Sequence, residues 1–300
     1  MIRSKDSPAA QQFKMAPSMK IGYVSLNVSD IGRSLDFYQS VLGFKAFSRP
    51  SGDRALLSAG GSSSHLLELQ QAKAVDSSSD AVARRAGLYH FAILLPERKY
   101  LADMLRNLSD KSDQVHFDGL ADHLVSESIY IRDPNNIGIE IYRDRPISEW
   151  NRIGDKIQIA TLPLDSDNLL AESTNDGWKE MPAKTTIGHV HLHVTDLDEA
   201  LKFYGEILGL HLTATIPSAA FFAAGSYHHH IGANTWLGEG IAMANPQGIG
   251  LNHFGIELPG KEAYEELIRR LSSYGLGASE ASKSTLVHDL DGIRLRLQHE

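Results

Sequence analysis

A gapless internal repeat constrains this chain more than any other feature. IGYVSLNVSDIGRSLDFYQSVLGF from Ile21 and IGHVHLHVTDLDEALKFYGEILGL from Ile187 agree at 11 of 24 positions, at a constant offset of 166. Each reads as a strand alternating with period two. An aspartate follows (Asp30, Asp196) where a helix cap belongs. Next comes an amphipathic helix holding Leu35, Phe37, Tyr38 and Leu42, or Leu201, Phe203, Tyr204 and Leu208, which Gly43 or Gly209 then stops. A second pair obeys the same logic. LYHFAILLP from Leu88 matches LNHFGIELP from Leu251 at six of nine positions, offset 163. Each leads into a helix (97–108, 261–274) and later into a turn and a last strand, RDPNNIGIEIY or HDLDGIRLRLQ. The pattern predicts an α+β fold of four strand–helix–strands units. Residues 19–145 hold the first two and 184–300 the last two. Between them, 146–183 is acidic, turn-rich and non-repeating, as a linker is; 1–18 is polar and reads as a disordered tail.

Composition narrows what such a fold is used for. A net charge of 29 − 37 = −8 argues against a nucleic-acid surface. No apolar run is long enough to span a bilayer, and the first residues carry no signal-peptide core, so the cytoplasm is the expected location. Without cysteine, any metal must be held by nitrogen and oxygen, which 14 histidines and 37 acidic residues supply. His90 opens and Glu140 closes the second unit, both in alternating apolar strands. An imidazole and a carboxylate so placed need one more histidine to make a 2-His-1-carboxylate metal site.

The four units resemble the βαβββ modules of the vicinal oxygen chelate superfamily, which includes glyoxalase I, bleomycin-resistance proteins and the extradiol ring-cleaving dioxygenases. GLYHFAILLP, DHLVSE, GIEIYRDRP, IGHVHLHV and YHHHIGANTW, in that order, are similar to the two-domain catechol-2,3-dioxygenase group. The resemblance runs from about residue 20 to the C-terminus. It implies two cup-shaped domains of curved mixed sheets with helices outside, each cup made of two paired modules that place ligands on their first and last strands. In this chain the first-strand slot holds Tyr23, His90, His189 and His253. The last-strand slot, seven residues beyond the turn aspartate, holds Glu140 after Asp133 and Arg296 after Asp289. If the third and fourth units pair, the set is His189, His253 and Arg296, without a carboxylate. If the first and second pair, it is Tyr23, His90 and Glu140, short of a histidine. Only the second with the third gives a full triad, His90, Glu140 and His189. The first-with-fourth cup is then degenerate, with Tyr23, Glu68, His253 and Arg296.

The resemblance further implies Fe(II), with Mn(II) as the alternative, and a small aromatic diol and O2 as substrates, giving a ring-opened semialdehyde. An acid–base histidine is expected in the run His228–His230. Alignment favours His229; strand alternation, counted back from Gly232, favours His230; both stand at this point. Tyr130 and His123 are expected to orient the substrate oxygens. His191 and His193 continue the alternation of His189. Phe221, Phe222 and Trp236 suit either core packing or the wall of an apolar pocket. Two other readings remain: a glyoxalase-like isomerase or lyase with a non-redox metal, and a non-catalytic protein that binds a small aromatic compound. Exposed sheet edges leave room for a homo-oligomer.

Overall fold

The computed structural model describes residues 13–73, 84–174, 176–276, 279–281 and 284–299. The first module comprises strands β1 (Lys20–Val28), β2 (Lys45–Ser51), β3 (Arg54–Ser58) and β4 (Leu67–Gln71). The second comprises β5 (Gly87–Leu94), β6 (His116–Asp122), β7 (Ser126–Arg132) and β8 (Gly138–Asp144). A short hairpin, β9 (Arg152–Ile153) with β10 (Lys156–Ile157), lies between the halves. The third module has β11 (Thr186–His193), β12 (His211–Ile216), β13 (Ala219–Ala223) and β14 (Ile231–Asn234). The fourth has β15 (Gly250–Leu258), β16 (Ser279–Ala281), β17 (Ser284–His288) and β18 (Arg294–His299).

The sheets do not follow the two halves. One eight-stranded sheet runs β16-β17-β18-β15-β1-β4-β3-β2 and joins the fourth module to the first. The other runs β12-β13-β14-β11-β5-β8-β7-β6 and joins the third to the second. Inside each module the first and last strands lie parallel, with the helix crossing between them. Between modules, β1 meets β15 and β5 meets β11 antiparallel. Period-two alternation then sorts the two faces of each sheet. Phe91, Ile93, Ile139, Ile141, Val190 and Leu192 are fully buried in the main core. Burial of each such side chain stabilises by about 1.5–3 kcal/mol. The residues between them, His90, Ala92, Glu140, His189 and His191, share the opposite, concave face.

The repeated helix begins as expected and then departs from the α form. Asp30 Oδ1 accepts from the Arg33 amide, and Asp196 Oδ1 from those of Asp198 and Glu199. After one short α segment, both copies continue as a π-helix, over Phe37–Val41 and Leu201–Ile207. The wider turn carries a buried tyrosine onto the next module. Tyr38 donates to Asp133 (3.1 Å) and Tyr204 to Asp289 (2.6 Å). Burial, and then the aspartate itself, hold both phenols well above their ordinary pKa, so they stay protonated donors. The tyrosine repeated at one end of each half and the turn aspartate repeated at the other are thus one interaction, made twice.

Two expected irregular segments are more ordered than their composition suggests. The disordered tail expected over 1–18 lies outside the described residues as far as Gln12, but 13–18 is packed. Met15 is buried, its amide bonds the Gly209 carbonyl (2.8 Å), and Phe13 receives the Arg270 guanidinium on its ring. Two apolar side chains in a polar stretch were anchors. The linker 146–183 buries Trp150, Ile157, Leu169 and Met181. Its helix Ser166–Leu170 is tied by Arg98, which also grips buried Glu127 (2.7 and 3.1 Å). No helix among the described residues is long and apolar enough to cross a membrane.

If the Tyr–Asp ties hold each half together, Tyr204→Phe lowers the unfolding free energy by about 1–3 kcal/mol, read as a lower urea midpoint at unchanged slope. Tyr38→Phe does the same. Unchanged midpoints in both variants refute the assignment.

Candidate metal centre

The antiparallel seam between β5 and β11 sets the site. Its register places His189 opposite Ala92 and His191 opposite His90. On the other side of β5, Ala92 lies beside Glu140 of β8. A small residue in the middle thus lets flanking side chains close over it. His90 Nε2 and His189 Nε2 each lie 3.0 Å from Glu140 Oε2 and 3.3 Å from one another. Adjacent ligands on an octahedral ion with bonds of about 2.1 Å sit about 3.0 Å apart. Three atoms spaced this way form one face of such a shell and leave three positions for other ligands. Among the described residues, this is the group of three whose ligand atoms converge for a metal.

The protonation states fit as well. Burial pushes His189 down to about 4, although Glu140 pulls the other way, so the ring is neutral at neutral pH. Burial alone would raise Glu140, but His189 and His90 outweigh it and hold the carboxyl well below its ordinary value. Neutral imidazole and ionised carboxylate are the forms that ligate a divalent ion. Ser128, on the same face of β7, donates to Glu140 Oε1 (2.6 Å) and fixes the carboxylate plane. The sequence reading missed this serine, although the repeat carries it: Ser284 holds the corresponding place and accepts from Arg296 (3.2 Å).

A cavity of about 390 Å³ opens above the three ligands, large enough for a small aromatic molecule. Tyr130 and His123 stand in its wall, 2.7 Å apart. His123 Nδ1 lies 2.7 Å from the Ala160 carbonyl, which can only accept, so Nε2 is the acceptor and Tyr130 donates to it. Burial raises the Tyr130 phenol well above its usual pKa. Phe221 and Trp236 line the same space, whereas Phe222 is buried in the core. His191 also lines it, with a buried Nε2 that has no hydrogen-bond partner among the described residues. His193 lies outside this cavity and bonds Asn234 (2.8 Å).

The triple histidine run precedes β14 rather than forming part of it, so strand parity does not govern its directions. His229 lines the cavity, its ring 4.1 Å from that of His189. His230, favoured by parity, turns away: its Nδ1 accepts from the Ala224 amide (3.2 Å), and it borders a different cavity beside Tyr227 and Gly188. His228 is buried and pairs with Asp144 (2.9 Å). Gly232, in the slot that holds Glu140 in the second module, lies against the His191 ring; a Cβ there would come within 2.9 Å of it.

Among the described residues, the other cup holds no comparable set. Tyr23 and His253 bond one another (3.0 Å), and Glu68 pairs with Arg54 (2.6 Å). Arg296 stands where Glu140 does. Burial, reinforced by Arg296, Arg294 and Arg54, depresses His253 to about 3. A cation would meet the Arg296 and Arg294 guanidinium groups there.

Comparison with known proteins places these features in a family. The family described as Glyoxalase/Bleomycin resistance protein/Dioxygenase superfamily matches residues 20–141 and 186–292. A catechol-2,3-dioxygenase of Bacillus subtilis (strain 168) is 37% identical over 272 residues, covering 90% of this chain and 93% of its own. Among solved structures, a candidate dioxygenase from Bacillus subtilis superposes with a TM-score of 0.63 at 14% identity, over 96% of this chain and 86% of that one. Glyoxalase I from Zea mays gives 0.54 at 16%, over 94% and 92%. These two structural likenesses are of the fold.

Ser128→Ala frees Glu140 to rotate, and affinity for a divalent ion, titrated with Co(II) or Zn(II), should fall about 10- to 100-fold; unchanged affinity removes the serine from the site. Acid should destabilise the fold through His253. The folded protein takes up that proton only near 3, whereas the unfolded chain takes it near 6.5. The stabilisation is therefore complete above pH 6.5, and the unfolding free energy drops by about 1.4 kcal/mol per pH unit on this account as pH falls from there towards 3. Urea midpoints between pH 7 and 5 should decline less steeply in His253→Gln.

Proposed function

As the chain belongs to the Glyoxalase/Bleomycin resistance protein/Dioxygenase superfamily, we propose that it is an extradiol dioxygenase that opens the ring of a catechol with O2, with His90, His189 and Glu140 holding Fe(II). The observation that carries this reading is the donor set: one carboxylate and two imidazoles at the floor of an aromatic-sized cavity. The kinship with a catechol-2,3-dioxygenase supports it. The metal, when bound, supplies Lewis acidity and a one-electron couple between the diol and dioxygen.

The protein's own groups account for the rest. Ligand burial excludes bulk water from the reacting oxygens. With its O–H committed to His123, Tyr130 turns oxygen lone pairs to the cavity and can accept from a substrate hydroxyl. Phe221 and Trp236 flank space for a planar ring, and the exposed edge of Trp236 marks the way in. His229 is the acid–base residue of this reading. Burial, then the neighbouring His189 and His228, hold it well below an ordinary histidine, so it is neutral at pH 7 and free to take a catechol proton and return it later. A glyoxalase-like reaction would use the same fold, but such sites are expected to offer a second carboxylate, and Gly232 stands where the third module would supply it.

The test is anaerobic loading with Fe(II), followed by oxygen uptake with a panel of catechols. Expected are one O2 consumed per diol, a yellow ring-opened product, and a fall to below about one-hundredth in Glu140→Gln. No uptake with any catechol overturns the proposal. So does turnover of an α-ketoaldehyde–thiol adduct with Zn(II) or Ni(II) and no oxygen demand, which identifies the isomerase instead.

A further inference from the structure

Behind His229 lies a buried chain of polar groups that the proposed chemistry does not itself require. His229 Nδ1 is 2.7 Å from His228 Nδ1. His228 Nε2 is 2.9 Å from Asp144 Oδ1, and Tyr227 donates to Asp144 Oδ2 (2.9 Å). The Tyr142 hydroxyl adds a fourth link, 2.7 Å from that of Tyr227. It occupies room that exists only because residue 188 is glycine: a Cβ there would fall 1.7 Å from the hydroxyl. The His228 ring is held between Tyr227 (4.2 Å) and Trp150 (5.2 Å), so it has one orientation.

Hydrogen-bond logic runs through this chain in one direction. A carboxylate accepts only, so the proton between His228 and Asp144 belongs to His228 Nε2. If the His228 ring carries this one proton, its lone pair is on Nδ1. Two nitrogens 2.7 Å apart need one proton between them, and the His229 Nδ1–H must supply it. His229 is thereby left with a bare Nε2, its remaining ring nitrogen in a ring that lines the cavity.

We propose that Asp144, acting through His228, fixes His229 in the Nδ1–H tautomer and so makes its cavity-side nitrogen a base. Asp144 and His228 are positioning residues; neither lines the cavity over the metal ligands. The proposal rests on the acid–base role given to His229 above, but its core is a statement about protons that can be read without turnover. It also gives the run of three histidines a division of labour: His229 works, His228 sets its tautomer, and His230 packs against the chain behind.

The experiment is histidine-selective 15N labelling of the full-length protein, metal-free and again with diamagnetic Zn(II), with the His229 signals assigned by their loss in His229→Gln. The two ring nitrogens are identified by their couplings to the ring protons. Wild type should show protonated Nδ1 and bare Nε2. In Asp144→Asn, the amide donates to His228 Nε2, His228 carries its proton on Nδ1, and the His229 pattern should invert. Trp150→Phe loosens packing on the same His228 ring without touching the chain, and should leave the pattern as in wild type. A wild-type His229 protonated on Nε2, no inversion in Asp144→Asn, or inversion in Trp150→Phe as well, each overturns the inference. Given dioxygenase turnover, Asp144→Asn should also lower kcat about 100-fold with KM within about three-fold, as a wrong tautomer does in a hydrogen-bonded triad. Undiminished kcat beside an inverted pattern overturns the positioning role. Absence of oxygen uptake in wild type bears instead on the dioxygenase reading, so the two fail separately.

Discussion

The pairing of β5 with β11 is the constraint on which the rest of the structure depends. A metal site built on one module would have only one first strand and one last strand to draw on. Antiparallel pairing of the second module with the third brings two first strands side by side, with His90 and His189 two residues of register apart and so on one face. A slip by one residue would turn His189 to the core and Val190 to the cavity, since side-chain direction has period two. The apolar alternation that buries Phe91, Ile93, Val190 and Leu192 therefore also aims the histidines. The hydrophobic core specifies the site's geometry, at no cost in extra residues.

The two halves are interlocked by two different interactions. The sheets run across the halves, first module to fourth and second to third. The tyrosine–aspartate ties run within the halves, first module to second and third to fourth. Neither half can swing away without breaking both seams, and no module can leave its neighbour without stranding a buried carboxylate. Ligands on β5, β8 and β11 thus sit on a framework that fixes them to within a rotamer, which suits groups that must meet at one ion.

Much of this was legible because duplication supplies four versions of each position in one sequence. With the ligand slots that the resemblance implies, the comparison brings His90, Glu140 and His189 together only if the second and third modules pair, and their ligand atoms do lie close together. Legibility stopped where local geometry departs from regular elements. The π-helix over Phe37–Val41 and Leu201–Ile207 has the same apolar spacing as an α-helix over one turn, so only the reach of Tyr38 and Tyr204 reveals it. His228–His230 look like a strand by composition but precede one. Alternation then sent His230 inward, where the structure places His229. Asp144 escaped notice because its partner is 84 residues away across two modules. Ser128 could have been found, since Ser284 repeats it.

The contrast between the cups shows how few slots separate a converging donor set from a cluster without one on this scaffold. In the cup of the second and third modules, Ala92 lies beside imidazole rings, and Gly232 makes room for that of His191. In the other, the residue in Ala92's place is Gly255, and a Cβ there would come within 2.3 Å of the Tyr23 ring. Glycine fits there because the larger Tyr23 ring fills the space that a side chain would need. Once Tyr23 fills the floor and bonds His253, the ligand nitrogen is spent. Arginine in the last-strand slot then completes the inversion, because the charge that would have balanced a cation now repels one. Glu68 is left to neutralise Arg54 instead. Steric, hydrogen-bonding and charge differences in three slots are mutually consistent: Tyr23 bonds His253, and Glu68 pairs with Arg54.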